Sequence, residues 1–257
     1  MSTSVVRQPS LALQLLETRA IGELAAYAWL YPLLRMAPRG DGHAVLVLPG
    51  FLASGKSTFP LRHMLKRLGY MGHRWKLGRN LGPAAINDDD VLARMHELRV
   101  RYGRRVSLIG WSLGGLYARE LAWRAPDDVR MVITLGSPFR HQEFTSATWI
   151  YNELHGNHLD HVDPEVLERV EEVPPVPCTS IYSRSDGVVP WQCSLEVPSA
   201  RTENIRVYGS HCGLGHNPAA LWAIFDRLAQ PADQWRPFER GLCRKFTYPT
   251  PDTLITV

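Results

Sequence analysis

The chain has 257 residues, of which 45% are hydrophobic and 21% charged, with a formal net charge of +4. That supplies apolar material for one sizeable core and excludes an intrinsically disordered chain. The mild basic excess shows no aromatic interleaving and gives no sign of nucleic-acid binding. Four cysteines without tight pair spacing imply no disulfide scaffold.

Met1 to Arg7 lacks a basic stretch followed by an uninterrupted apolar run, so no secretory signal is read and a cytoplasmic location is expected. Ser10 to Arg35 reads as helical. Its apolar part, Ala20 to Leu34, is too short for a membrane span and carries Glu23 and Pro32. It is expected to pack on the domain, with contact to a membrane surface as the alternative, unsupported by anything else in the sequence. The turn-rich Pro38-Arg39-Gly40-Asp41-Gly42 closes this N-terminal segment, residues 1–42.

From residue 43 to 229, strand-like and helix-like runs alternate. The predicted order is strand Val45–Leu48, helix Thr58–Leu68, strand near Gly72–Leu77, helix Asp89–Tyr102, strand Val106–Ile109, helix Leu113–Arg124 and strand Met131–Leu135. Two further strands, near Val176–Tyr182 and Asn204–Tyr208, precede a helix that starts at Asn217-Pro218. Such alternation implies βαβ units and an α/β fold with a mostly parallel sheet of about six strands, covered by helices on both faces. Asp88-Asp89-Asp90 precedes a helix, where capping and the helix dipole explain the carboxylates better than a metal does.

The most specific motif is Gly110-Trp111-Ser112-Leu113-Gly114, between a strand and a helix. Small residues on both sides let the backbone turn sharply and lift the serine hydroxyl off the end of the sheet. A hydroxyl attacks poorly at its free pKa and needs a base, which in turn needs an orienting carboxylate. Asp186 lies in a turn just past one later strand, and His211 comes directly after the next. His216 also lies nearby, two residues before Pro218 at the helix entrance.

The order Ser, Asp, His in this setting resembles the α/β-hydrolase family, and in particular its small bacterial lipases and esterases. The resemblance runs from about residue 43 to about 228. It implies an α/β-hydrolase fold with Ser112 as nucleophile, Asp186 as acid and His211, at its strand end, rather than His216, as base. It further implies an oxyanion hole formed by the backbone N–H groups of Phe51 and Leu113. Where the family often has His-Gly, this chain has Pro49-Gly50, a mild departure because the backbone does the work. The activity implied is hydrolysis of a small-molecule ester, with an apolar acyl group, through an acyl-enzyme that needs no cofactor and no metal. Acyltransfer and thioester hydrolysis use the same triad. Leu52, Trp111, Phe139 and Trp191 flank the catalytic loops and are candidates to line an acyl pocket.

The loop Gly50-Phe51-Leu52-Ala53-Ser54-Gly55-Lys56-Ser57 also matches the phosphate-binding pattern G-x-x-x-x-G-K-S. That reading would place Lys56 on nucleotide phosphates and Ser57 on Mg²⁺. It would also put Pro60 inside the first turns of the helix, and no later strand ends in an aspartate for the metal. The interval 139–177 breaks the alternation and is read as a cap or lid over Ser112. Its His155, His158 and His161 are read as surface residues. Cys212 beside His211 lacks metal-ligand spacing. The C-terminal tail, 230–257, is polar and proline-rich and is expected to wrap on the surface or move.

Overall fold

The computed structural model describes residues 6–83, 85–140, 164–240 and 245–253. Six strands form one all-parallel sheet: β1 (Ala44–Leu48), β2 (Met71–Arg74), β3 (Val106–Trp111), β4 (Val129–Leu135), β5 (Cys178–Tyr182) and β6 (Thr202–Arg206). Their spatial order is β2-β1-β3-β4-β5-β6. β1, β3, β4 and β5 are buried along their whole length, as expected for near-continuous apolar runs covered on both faces.

Successive residues of β1 point to opposite faces and enter two separate cores. Val45 and Val47 join Leu61, Met64 and Leu65 of α4 (Phe59–Arg67) and Leu221, Ile224 and Phe225 of the last helix, Pro218–Leu228. Ala44, Leu46 and Leu48 join Val91, Met95 and Leu98 of α5 (Asp88–Tyr102) and Ala118, Leu121 and Ala122 of α6 (Leu113–Arg124). α5 and the last helix are capped by side-chain amides: Asn87 accepts from Asp89 N at 2.9 Å, and Asn217 accepts from Ala219 N at 3.0 Å. The aspartates at 88–90 occupy the first turn of α5, where they meet its dipole.

The N-terminal stretch is not one helix. It breaks into α1 (Leu11–Leu15), a 3₁₀ turn at Leu16–Arg19, α2 (Ala20–Trp29) and α3 (Tyr31–Leu34). Its orientation is also reversed from that of an ordinary core-facing helix. Tyr27 and Tyr31 pack against the core, yet Leu11, Leu15, Ile21 and Trp29 are exposed while Glu17, Arg19 and Glu23 turn inward. The physical reason lies underneath: the loops at the sheet edge present backbone groups that require partners, and charged side chains supply them.

Of the interval read as a cap, residues 141–163, including the three histidines, lie outside the described residues. Beyond them, α7 (Pro164–Glu171) is held to α6 by a 3.0 Å ion pair between Arg169 and Glu120. The last helix, α8 (Pro218–Leu228), meets the tail through Tyr248, whose hydroxyl donates to the carbonyl of Ala219 at 2.9 Å. The Asp252 carboxylate accepts from Tyr182 at 2.9 Å.

Candidate active site

All strands run the same way, so the loops at their C-terminal ends converge on one edge of the sheet. Ser112 stands at the end of β3 with φ 53° and ψ −125°, a left-handed conformation that costs a non-glycine residue about 1–3 kcal/mol. The sheet holds it there: its amide donates to the carbonyl of Leu135 at 2.9 Å. The turn is tight enough that a Cβ on Gly110 would lie 2.3 Å from Gly115 Cα, and one on Gly114 2.3 Å from the carbonyl oxygen of Leu48. These close approaches are why small residues surround the serine.

Asp186 and His211 meet across the adjoining loops. His211 Nδ1 donates to Asp186 Oδ2 at 2.7 Å, while Asp186 Oδ1 accepts from the amides of Val188 and Val189 at 2.8 and 2.7 Å. One carboxylate oxygen is thus fixed by backbone and the other is aimed at the ring. With Nδ1 engaged, Nε2 is the nitrogen left to exchange a proton with a nucleophile. Burial by itself would lower the pKa of His211; the charge and hydrogen bond of Asp186, with a further contribution from Glu17, outweigh it and raise the value above 6.5. Trp111 Nε1, one residue before Ser112, donates to the carbonyl of His211 at 3.1 Å. His216 is elsewhere: its Nε2 bonds the carbonyl of Ala20 at 3.0 Å.

The same arrangement of strands occurs in solved hydrolases. An α/β superfamily hydrolase from Oenococcus oeni PSU-1 superposes with a TM-score of 0.52 at 17% identity, over 73% of this chain and 91% of that one. The mature lipase BlEst2 of Bacillus licheniformis gives 0.55 at 15% identity, over 76% and 95%. The pyrethroid hydrolase PytH gives 0.53 at 20%, over 75% and 100%. The chain has the α/β-hydrolase fold. No family model matches it. By sequence it is 33% identical over 110 residues to the human serine hydrolase BPHL, a stretch that covers 38% of this chain and 37% of the length of that relative.

Within this α/β-hydrolase fold, the loop after β1 lies against the elbow. A Cβ on Gly50 would sit 3.1 Å from Ser112 Cβ and 3.7 Å from its Oγ, so Gly50, the residue before Phe51, borders the serine. Leu52 is 37% exposed and adopts φ 61°. The loop is held by Asn80, a residue that no sequence motif marks. The buried Asn80 side chain donates to the carbonyl of Pro49 at 2.8 Å, its own carbonyl accepts from Leu52 N at 2.7 Å, and its amide donates to Ala53 O at 2.8 Å. The Asn80 carbonyl thus engages the amide of Leu52, one residue beyond Phe51. The helix after this loop begins at Phe59, three residues past Lys56, and Ser57 Oγ donates to the carbonyl of Ser54. That is unlike a phosphate loop, whose helix starts at the Gly-Lys pair. β4, in turn, runs into Gly136-Ser137 with no aspartate.

The side chains considered for an acyl pocket are placed differently from one another. Phe139 is fully buried, with the guanidinium of Arg119 3.9 Å above its ring. Trp111 is nearly buried and belongs to the core. Trp191 stacks on Tyr182 at 6.1 Å and lies beneath Arg184. Leu52 alone of the four is among the exposed large hydrophobic residues, at 37%. The other three are held by partners of their own: the Arg119 guanidinium, the His211 carbonyl and the Tyr182 ring.

Three further residues reach the catalytic loops from the N-terminal segment. Glu17 accepts from the amides of Gly187, His211 and Cys212 at 2.8, 2.9 and 2.8 Å. Glu23 accepts from Ser210 N at 2.7 Å, and Arg19 donates to the carbonyl of Gly209 at 2.8 Å. No spacing rule links residues 17–23 to a turn near 190 residues downstream; the only sequence signal is charge within an otherwise apolar helical stretch. The Cys212 thiol is pushed up to about 12, by burial first and by the Glu17 carboxylate next, which keeps it protonated. Among the described residues, no group of three or more His, Cys, Asp or Glu is gathered as metal ligands would be.

Proposed function

We propose that the chain is a serine hydrolase of carboxylic esters. Ser112 Oγ attacks the ester carbonyl as His211 Nε2 takes its proton, giving a tetrahedral oxyanion. The backbone N–H groups of Phe51 and Leu113 receive the negative charge, an interaction worth about 3–4 kcal/mol for each donor of this kind. On collapse, the bond to the alcohol oxygen breaks and His211 returns its proton to the leaving group. Water then attacks the acyl-enzyme, with His211 again as base, and releases the acid. Asp186 holds the imidazole in the tautomer that exposes Nε2 and stabilises the imidazolium. Leu52, exposed on the loop two residues past Gly50, touches the acyl group in this reading, so an apolar acyl chain is expected.

The observation that carries the proposal is the 2.7 Å Asp186–His211 hydrogen bond on the same sheet edge as a serine in a left-handed turn. The likeness to lipolytic and pyrethroid-hydrolysing folds supports it, at identities that speak for the fold alone. The test is hydrolysis of p-nitrophenyl esters of short and long acyl chains by the wild type and by Ser112→Ala. Turnover is expected in the wild type and should fall by at least about 10³-fold in the variant. Equal turnover by both proteins, or a wild type that neither turns over any ester nor takes a fluorophosphonate label at Ser112, overturns the reading.

A further inference from the structure

We propose that Glu17 is a positioning residue for the catalytic base: its carboxylate ties the backbone of His211 to the residue after Asp186 and holds a fixed negative charge beside the imidazole. The proposal rests on the Ser112–His211–Asp186 triad and adds to it a second carboxylate, from a segment outside the α/β core.

The geometry is that of a clasp with one shared atom. Glu17 Oε1 accepts from both Gly187 N and His211 N, while Oε2 accepts from Cys212 N. The first contact fixes the turn that carries Asp186, and the other two fix the turn that carries His211. Each loop is irregular backbone at a sheet edge, so neither has a ladder of its own to hold it. The distance between Asp186 and His211 therefore depends on contacts that span both: Ser185 Oγ donates to Gly209 O at 3.1 Å, Arg19 reaches Ser185 and Gly209, and a single oxygen of Glu17 holds Gly187 N and His211 N together.

Burial pushes the Glu17 carboxyl up, but the three amides, and then the charge of His211, pull it below its ordinary 4.5. It is therefore ionised wherever His211 titrates. A charged acceptor of amide hydrogen bonds is held more tightly than a neutral one, and its field favours the imidazolium that forms during each proton transfer.

Among the described residues, the other charged or titratable groups around His211 are few. Asp186 faces Nδ1 from the loop after β5. From the N-terminal segment, Glu23 holds Ser210 N, and Arg19 holds Gly209 O and Ser185 Oγ. On the base loop itself lie the Cys212 thiol, its pKa raised, and His216, which is bonded to Ala20 O. Arg19 opposes the two glutamates in sign, and it stands 3.8 Å from Glu23. Arg19 also spans both triad loops, through Ser185 and Gly209; Glu17 differs in bonding the backbone of His211 itself and in carrying the negative charge.

Glu17→Gln tests the charge, because the amide keeps an oxygen for Gly187 and His211. Glu17→Asp restores the charge on a shorter arm. The primary readout is the titration of the His211 ring protons by NMR, assigned by their absence in His211→Asn; it needs no catalytic activity. The expected result is a His211 pKa lower by about one unit in Glu17→Gln, the scale of one nearby charge at partial burial, with most of the shift recovered in Glu17→Asp. The acidic limb of kcat/KM on p-nitrophenyl esters should move to lower pH by the same amount, since the base must be neutral to act. Glu17→Ala, which removes charge and clasp together, should lower kcat by about 10–100-fold. An unmoved His211 titration in Glu17→Gln overturns the proposal, and a lowered melting temperature beside it would leave Glu17 a structural clasp only. A wild type that lacks turnover and labelling refutes the triad reading instead; the NMR shift still decides what Glu17 does to His211.

Discussion

The indole nitrogen of Trp111 donates to the carbonyl of His211 at 3.1 Å, so the residue before the nucleophile holds the loop of the base. The bond links the end of β3 to a turn 100 positions away, and both partners are nearly buried. Trp111→Phe keeps an aromatic ring in the core and leaves the His211 carbonyl without this donor. The expected loss is about 1–2 kcal/mol of stability, by denaturant unfolding, with a fall in kcat of about tenfold as the base loop relaxes. An unchanged kcat would show that the base loop is held without this bond.

Gly115 lies on α6 directly behind the elbow, and a Cβ there would stand 2.0 Å from Ser137 Oγ, far inside contact distance. Ser137 lies just past the end of β4 and is fully buried, so it has little room to retreat. Gly115→Ala should therefore displace the start of α6, including Leu113, at a cost of about 1–3 kcal/mol and a fall of about 10² in kcat/KM. Because the severe clash is with Ser137, with Thr134 Cγ2 next at 3.2 Å, Ser137→Gly in the same chain should restore part of both losses. A double-mutant cycle on stability and kcat/KM measures that recovery, and additive effects would place the clash elsewhere.

His43 predicts a pH dependence of stability that is separate from catalysis. It is fully buried, bonded to Asp41 and 2.9 Å from Ser107 Oγ. Burial pushes its pKa from 6.5 down to about 4, assisted by Arg130 and opposed by the Asp41 hydrogen bond. Between about 6.5 and about 4 the unfolded chain takes up a proton that the folded chain refuses, so stability falls as pH falls through that window, by up to about 3 kcal/mol. His73, half-buried and also lowered to about 4, acts in the same direction. His211, raised by Asp186, has the opposite sign, and its contribution is lost only as pH rises above 6.5 through its folded value. His43→Asn should therefore flatten the slope between pH 6.5 and 4 by about one proton, measured by urea unfolding across that range. A slope as steep as the wild type's would show that other groups govern the acid limb.

Much of this arrangement was legible in the chain because it depends on short-range patterning. The elbow needs small residues within two positions of Ser112, and the backbone approaches around Gly110 and Gly114 show why. The alternation of apolar runs marks strands buried on both faces, and the structure places six of them in one parallel sheet. Asp186 and His211 stand out because each lies just past a strand, and parallel strands deliver their C-terminal loops to a common edge. The phosphate-loop pattern at Gly50–Ser57 is a local coincidence of the same kind: the sequence expects the next helix from Thr58, past the Gly-Lys pair, and it begins at Phe59.

What the sequence determined by itself was the fold class, the order of the three candidate catalytic residues and the loop that borders the serine, each encoded in neighbours along the chain. The tertiary structure alone decided how those loops are held. Glu17, Glu23 and Arg19 meet their partners across more than 160 positions, and Asn80 reaches back over some 30 to Pro49. These contacts join side chains to bare backbone amides and carbonyls, which carry no residue identity for a pattern to register. They exist only once the sheet has closed and the N-terminal segment has turned its charges inward to meet them.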